Sequence, residues 1–322
     1  MIGKVPPDVL RDLVLSRTGA PDDRVLQGPA YGEDTAAISL GEETLVVNTD
    51  PLSLAVDRIG TLGVNVACND IAASGASPEW LTSVVFLPSD DPTPLDAITR
   101  QLDEAARELG VAIVGGHSEY DPGRSTPMLV LTSLGLTDRY VPTGGAEPGD
   151  RILLTGSAGI EATAILATDF RELVGETVDD ATMDAAATFY DRLSVVPAGE
   201  ALAPFAHAMH DPTEGGLVDG LLELASASGV ALDVDGDAIA VEEATAAVCA
   251  AADVDPLRTF GSGALVAAVP EDSVDQALAA LDGRGVDGAV VGTVEAADDP
   301  WLDLGDERIT EPVRDEMYRL WE

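Results

Sequence analysis

The sequence predicts an α+β protein built as two domains, and three observations carry that reading. The chain has 322 residues, 46% of them hydrophobic, enough to fill two cores of ordinary size. Strand-like apolar runs and helix-like amphipathic stretches are mixed in both halves, without the strict strand–helix–strand rhythm of an all-parallel sheet. Between the halves, Pro142-Thr-Gly-Gly-Ala-Glu-Pro-Gly149 concentrates residues that interrupt regular structure. A first domain over residues 1–145 and a second over 146–322 follow.

In the first half, Pro6–Leu15 reads as a short opening helix, with proline early and apolar residues at helical spacing. Ala36–Leu40 and Thr44–Asn48 flank Gly41-Glu42-Glu43 in a hairpin pattern. Arg58–Ser74 is helical in pattern and stops at Gly75, and Trp80–Leu87 is a strand closed by Pro88. Leu95–Leu109 is an amphipathic helix ending at Gly110, followed by strands Val111–Val114 and Met128–Leu136. In the second half, Arg151–Leu154, Val230–Val234, Ala264–Val269 and Gly288–Val294 read as strands. Glu161–Ala167, Met183–Leu193, Gly216–Ala227 and Ser273–Leu281 read as helices. No short-period internal repeat is visible.

Charge excludes whole classes of function. Seventeen Lys and Arg stand against 58 Asp and Glu, for a net charge of −41, and Lys4 is the only lysine. Phosphates would be repelled over most of such a surface, so a nucleic-acid reader is excluded, and attachment to an anionic membrane is disfavoured by the same field. The acids are spread along the chain rather than gathered in a tail, which fits a halophilic protein. At molar salt the Debye length falls to about 3 Å and self-repulsion largely disappears. Met1–Ser16 is charged throughout and has no apolar signal core, and no apolar run approaches a membrane span. Cys68 and Cys249 form no metal or redox pair and read as reduced packing residues, so a cytoplasmic protein is expected.

Against this acidic background a carboxylate is informative only in glycine-rich or apolar surroundings. Five segments qualify: Gly32-Glu-Asp34-Thr-Ala-Ala37, Asn48-Thr-Asp50, Asn65–Gly75 with Asn69 and Asp70, Gly115-Gly116-His117-Ser-Glu119, and Asp211-Pro-Thr-Glu214-Gly-Gly216. Taken singly, each has an ordinary reading as a turn, a strand end, a helix face or a helix cap. Taken together, carboxylates at strand ends suit Mg²⁺, which prefers one or two of them plus substrate phosphates. Glycine pairs leading into helices offer backbone N–H groups to anions. The pattern describes a metal–phosphate site without a lysine, since a single lysine at position 4 cannot complete a P-loop.

In order and spacing these segments resemble one family. The blocks Gly-Glu-Asp-Thr-Ala-Ala (32–37), Asn-Thr-Asp (48–50), Asn-Asp-Ile-Ala-Ala-Ser-Gly-Ala-Ser-Pro (69–78), Gly-Gly-His-Ser-Glu (115–119), Gly-Ile-Glu-Ala-Thr-Ala-Ile-Leu-Ala (159–167), Asp-Pro-Thr-Glu-Gly-Gly-Leu (211–217) and Gly-Ser-Gly-Ala-Leu (261–265) are similar to the aminoimidazole ribonucleotide (AIR) synthetase-related superfamily. That group also holds the hydrogenase maturation protein HypE, thiamine-monophosphate kinase and selenophosphate synthetase. The likeness runs over roughly residues 5 to 300.

The resemblance implies an N-terminal α+β domain that pairs with its twin in a homodimer, and a C-terminal α/β domain. It also implies ATP in the cleft between them, with Mg²⁺ held by aspartates. Carried over, Asp34, Asp50 and Asp70 become the metal ligands. Asp34, Asn69, Asp70, Gly115, Gly116, Asp211 and Glu214 become nucleotide contacts, and His117 or Glu119 the proton-transfer group. Arg58 or Arg124 would offset charge, whereas Lys4 is badly placed, and no cysteine precedes Cys68, for the reactive cysteine and lysine of selenophosphate synthetase. The two blocks at 159–167 and 211–217 resemble HypE most, although the chain closes Met317-Tyr-Arg-Leu-Trp-Glu322 without that protein's terminal cysteine. The expected function is Mg²⁺-dependent ATP use on a small-molecule substrate. The alternatives are a thiamine-monophosphate kinase-like phosphotransferase and a non-catalytic ATP-binding dimer that docks a protein partner.

Overall fold

A computed structural model describes residues 3–322. The first domain opens with α1 (Pro7–Leu10), which continues as a wider turn to Leu15. It then runs β1 (Val25–Gln27), β2 (Ala36–Ser39), β3 (Thr44–Leu52), α2 (Ile59–Ala73), β4 (Ser77–Leu87), α3 (Thr93–Leu109), β5 (Ala112–Tyr120) and β6 (Met128–Thr137). Its sheet has the order β1-β2-β3-β6-β4-β5 and is antiparallel except for the β4–β5 pair, which α3 connects. The expected hairpin is β2–β3, with Ala36 opposite Val47.

Helix α2 is buried along almost its whole length, from Ile59 to Ala73. A helix apolar all round must be covered on every side, and here the sheet, α3 and α7 (Val196–Leu202) do so. Helix α3 is half-covered: Ile98, Leu102, Ala105 and Ala106 face inward, and Gly110, left-handed at φ +73°, ends it.

The second domain contains β7 (Arg151–Thr155), α4 (Ile160–Thr168), α5 (Arg171–Val174), α6 (Asp180–Ala187), α7, β8 (Ala208–His210), α8 (Gly216–Ser228) and β9 (Ala231–Val234). It continues with α9 (Glu243–Ala252), β10 (Leu265–Val269), α10 (Val274–Asp282), β11 (Gly288–Glu295), β12 (Trp301–Leu304), β13 (Glu307–Ile309) and a 3-10 turn, Glu316–Leu320. The sheet order is β13-β12-β9-β11-β7-β10-β8, parallel only at β12–β9. The helix expected over Met183–Leu193 starts earlier and tightens to a 3-10 turn at Thr188–Arg192. Among the described residues no helix is long and apolar enough to cross a membrane.

One apolar core runs through both domains, from Leu62 and Leu129 to Ile165, Phe260 and Tyr318. Polar ties reinforce it. Glu33 accepts from Tyr140 Oη and from the N–H groups of Thr143 and Gly144, fastening the segment between β6 and β7. Asn69 is fully buried. Its amide donates to Leu193 O at 2.8 Å and accepts from Val195 N at 2.8 Å. The side chain expected to contact a nucleotide is therefore spent on the domain junction.

Replacing Asn69 by Ala strands two buried backbone groups, at roughly 1–3 kcal/mol each. We expect a loss of about 3 kcal/mol in chemical unfolding, with the folded fraction keeping any nucleotide affinity. Unchanged stability would refute the tie.

Candidate functional site

The acidic segments reach one place because of where their elements end. Asp34 lies in the turn before β2, Asp50 near the end of β3 and Asp70 on α2, all from the first domain. Asp211 follows β8, Glu214 precedes α8, and Glu161 sits in the first turn of α4. The turn into α8 depends on Gly215 and Gly216, left-handed at φ +85° and +68°. A Cβ on Gly216 would lie 2.5 Å from Thr259 O, so only glycine fits. Asp315 secures this turn by accepting from Gly215 N at 2.9 Å.

Between the domains is a cavity of about 230 Å³. Its lining is part acidic, from Asp34, Asp50, Asp70 and Glu214, and part apolar, from Leu62, Val66, Ile165 and Phe260. Glu161 and Ser262 complete its wall. A second cavity of about 520 Å³ lies under the N-terminal segment, against Tyr31 and Tyr318. The two share Lys4, Asp34 and Glu214.

Asn48 organises the acidic part. Its amide donates to Asp50 at 3.0 Å and to Asp70 at 2.5 Å, while its carbonyl accepts from Ser133 N at 3.2 Å. Crowded, enclosed carboxylates hold protons more tightly. Burial, with Asp211 and Asp50 nearby, pushes Asp70 well above the usual range. Burial likewise lifts Asp34 to about 6, against the pull of His210, and Asp211 to about 7. Glu161 is lifted by burial to about 7, although it accepts from Ser262 N.

Glu223, on α8, is the counterweight. Burial opposes its charge, yet Lys4 and His210 overcome that and bring it down to about 2. Lys4 Nζ is 3.1 Å from Glu223 Oε1, and His210 Nε2 is 3.0 Å from Oε2. The other ring nitrogen of His210 stands 3.7 Å from Asp34. Burial works against a charged His210 too, but Glu223 and Asp34 raise it to about 9.

Of the residues named from sequence, Asp34, Asp50, Asp70, Asp211 and Glu214 come together. The Gly115–Glu119 segment does not join them. It continues β5, because β4 is long enough to pair with it as far as Leu87 opposite Tyr120. Gly116 serves that pairing: a Cβ there would lie 2.2 Å from Ser83 O. His117 and Glu119 bond each other at 3.0 Å on the exposed strand and line neither cavity. Arg58 lies over the Tyr190 ring, and Arg124 has a buried Nε without a partner, so neither offsets the charge of the cavities. Lys4 and His210 do that instead. Sequence reading assigned no role to Glu161, His210, Glu223 and Ser262, although Glu161 and Ser262 lie in the blocks at 159–167 and 261–265. Asn48 was legible: two residues before Asp50 on a strand, it shares that residue's face.

Among the described residues, no group of three or more His, Cys, Asp and Glu side chains is already gathered to hold a metal ion. The donor set nevertheless suits a hard cation bound together with phosphate oxygens. Asp211 Oδ2 is buried without a hydrogen-bond partner, and Asp34, Asp50 and Asp70 face one space.

The AIR synthase related protein N-terminal domain matches residues 32–137, and the AIR synthase related protein C-terminal domain matches residues 147–303. The chain is 32% identical over 285 residues to carbamoyl dehydratase HypE of Rhizobium leguminosarum bv. viciae, covering 85% of this chain and 80% of the relative. Its fold is shared by the hydrogenase maturation protein HypE in complex with ATP, with TM-score 0.71 and 24% identity over 96% of this chain and 95% of that one. It is shared also by AaThiL complexed with AMPPCP and TMP, with TM-score 0.74 and 19% identity over 95% and 96%.

The raised carboxylates give a pH signature. Asp34, Asp70, Asp211 and Glu161 bind protons more tightly folded than unfolded, so stability falls as pH rises from about 4 through 7. His210, raised above its ordinary value, adds stability that is present below about 6.5 and lost toward 9. Calorimetric Tm of the unliganded protein, at fixed molar KCl, should therefore drop from pH 5 to pH 8, and Mg²⁺ should restore part of the loss. A flat or rising profile would contradict the burial of these charges.

Proposed function

Because the chain belongs to the AIR synthase-related family, we propose that it is an ATP-using, Mg²⁺-dependent enzyme. Its reaction transfers or activates through the γ-phosphate at the point where the two cavities meet. The observation that carries this is the convergence of Asp34, Asp50, Asp70 and Glu214 from both domains on one cavity, with Asp211 electrostatically coupled to the first three and Lys4 and His210 beside them. The family relatives' ATP and AMPPCP complexes support a nucleotide there.

Asp34, Asp50 and Asp70 would hold Mg²⁺, whose chemistry when bound is to neutralise phosphate charge. The protein's part is positioning, because phosphoryl transfer needs little covalent chemistry from side chains. Asn48 fixes Asp50 relative to Asp70, and the Glu223 carboxylate fixes His210 against Asp34. Leu62, Val66, Ile165 and Phe260 give the cavity an apolar wall. The acceptor is a small molecule, and the protein works in the cytoplasm of a salt-accumulating cell.

Titration calorimetry with ATP in multimolar KCl should give Mg²⁺-dependent binding at one site per chain. Asp34→Asn and Asp70→Asn should each lower ATP turnover roughly 100-fold. Full turnover in both variants would overturn the site. Thiamine diphosphate formed from the monophosphate would assign the kinase reading, and ATP binding without turnover for any acceptor would assign the non-catalytic one.

The working form is a homodimer. Every residue of β5 is exposed, and this sheet edge carries Ile113, Val114 and Tyr120, at 43%, 58% and 55% exposure. An apolar edge of this length invites strand pairing. Sedimentation should show a dimer at micromolar concentration that Val114→Arg shifts to monomer. A monomeric wild type would refute it.

A further inference from the structure

We infer that Lys4 binds the phosphate group being transferred, carried to the meeting point of the two cavities by the N-terminal segment. This rests on the nucleotide reading above. Lys4 is the chain's only lysine, set against 58 acidic residues, and its side chain lines both cavities. An ammonium group has three N–H donors. One goes to Glu223 Oε1 at 3.1 Å, while Glu214 stands at 4.0 Å, too far for a hydrogen bond. The side chain is 42% exposed and lines both cavities, which leaves its remaining donors open to a ligand.

The surroundings hold this cation at a defined point. Glu223 gives one oxygen to Lys4 and the other to His210, and its side chain is only 7% exposed. It acts as a positioning residue. The segment that brings Lys4 is seated by Gly3, where a Cβ would lie 2.7 Å from Cε2 of the Tyr318 ring. A compact, strongly hydrated point charge suits a phosphate. It also offsets what otherwise opposes nucleotide entry, a net charge of −41 and a ring of carboxylates. An ion pair with a purely structural task would have no need to leave two donors where the two cavities meet.

The test uses the full-length protein with MgATP in multimolar KCl. Lys4→Met should lower kcat roughly 100-fold, with a smaller change in the KM for ATP, because the contact strengthens as charge develops on the transferred group. Lys4→Arg should recover part of the rate. Independently, wild-type protein is treated with an ATP acyl-phosphate. The Lys4 amine attacks the acyl carbonyl, an amide forms, the acyl–oxygen bond breaks, and ATP and a proton leave. Mass spectrometry should find this adduct on Lys4, and excess ATP should block it. Lys4→Met with kcat within threefold of wild type, or an absent or ATP-insensitive adduct in a protein that binds ATP, overturns the inference. A wild type that binds no ATP removes the nucleotide reading itself, which separates the two failures.

Discussion

The structure depends on one electrostatic constraint: several carboxylates crowd a domain junction, where Asp70, Asp211 and Glu223 are buried from water. Two like charges about 4 Å apart at an effective dielectric of about 20 repel by roughly 4 kcal/mol. The molecule meets this in two ways. Asp34, Asp70 and Asp211 are raised so that they hold protons when nothing else neutralises them. Glu223 stays ionised because Lys4 and His210 flank it. The first solution removes charge, and the second fixes a small positive island among acidic groups.

That arrangement demands a rigid frame, and the fold supplies it from both sides. Helix α2 is buried on every side, so Asp70 cannot swing out to water. Asn69, the next residue back, spends its amide on Leu193 and Val195, which ties the same helix to the second domain. Glu33 does the corresponding work next to Asp34 by holding Thr143 and Gly144. Each acidic side chain of the first domain thus has a neighbour in sequence that anchors the chain, while the acid itself faces the cavity. Asn48 and Asp50 repeat the pattern on β3.

The surface charge and the site charge have different physical status. Most of the 58 acidic residues are solvated, and many pair with arginines in exposed bridges such as Arg100 with Asp96 and Arg107 with Asp103. Such pairs lie in solvent and are screened by salt. Asp70, Asp211 and Glu223 at the junction escape much of that screening because they are buried. Solvated surface charge and buried junction charge thus coexist in one chain.

The sequence by itself determined the two-domain α+β plan, most helices and strands, and five of the site's acidic residues, because these follow from local patterning and from glycine and proline punctuation. Asp34, Asp50, Asp70, Asp211 and Glu214 stood out against glycine-rich or apolar neighbours, and they do converge. The short strands β8, β12 and β13 and the alanine-rich α9 were not legible, since three or four residues, or a helix without polar contrast, carry no periodicity. Only the tertiary structure decided the rest. Gly115–Glu119 became strand because β4 reaches far enough to pair with it, and no local feature encodes a partner's length. Lys4 came to the site because its partner Glu223 lies 219 residues away, a contact made by packing and not by spacing.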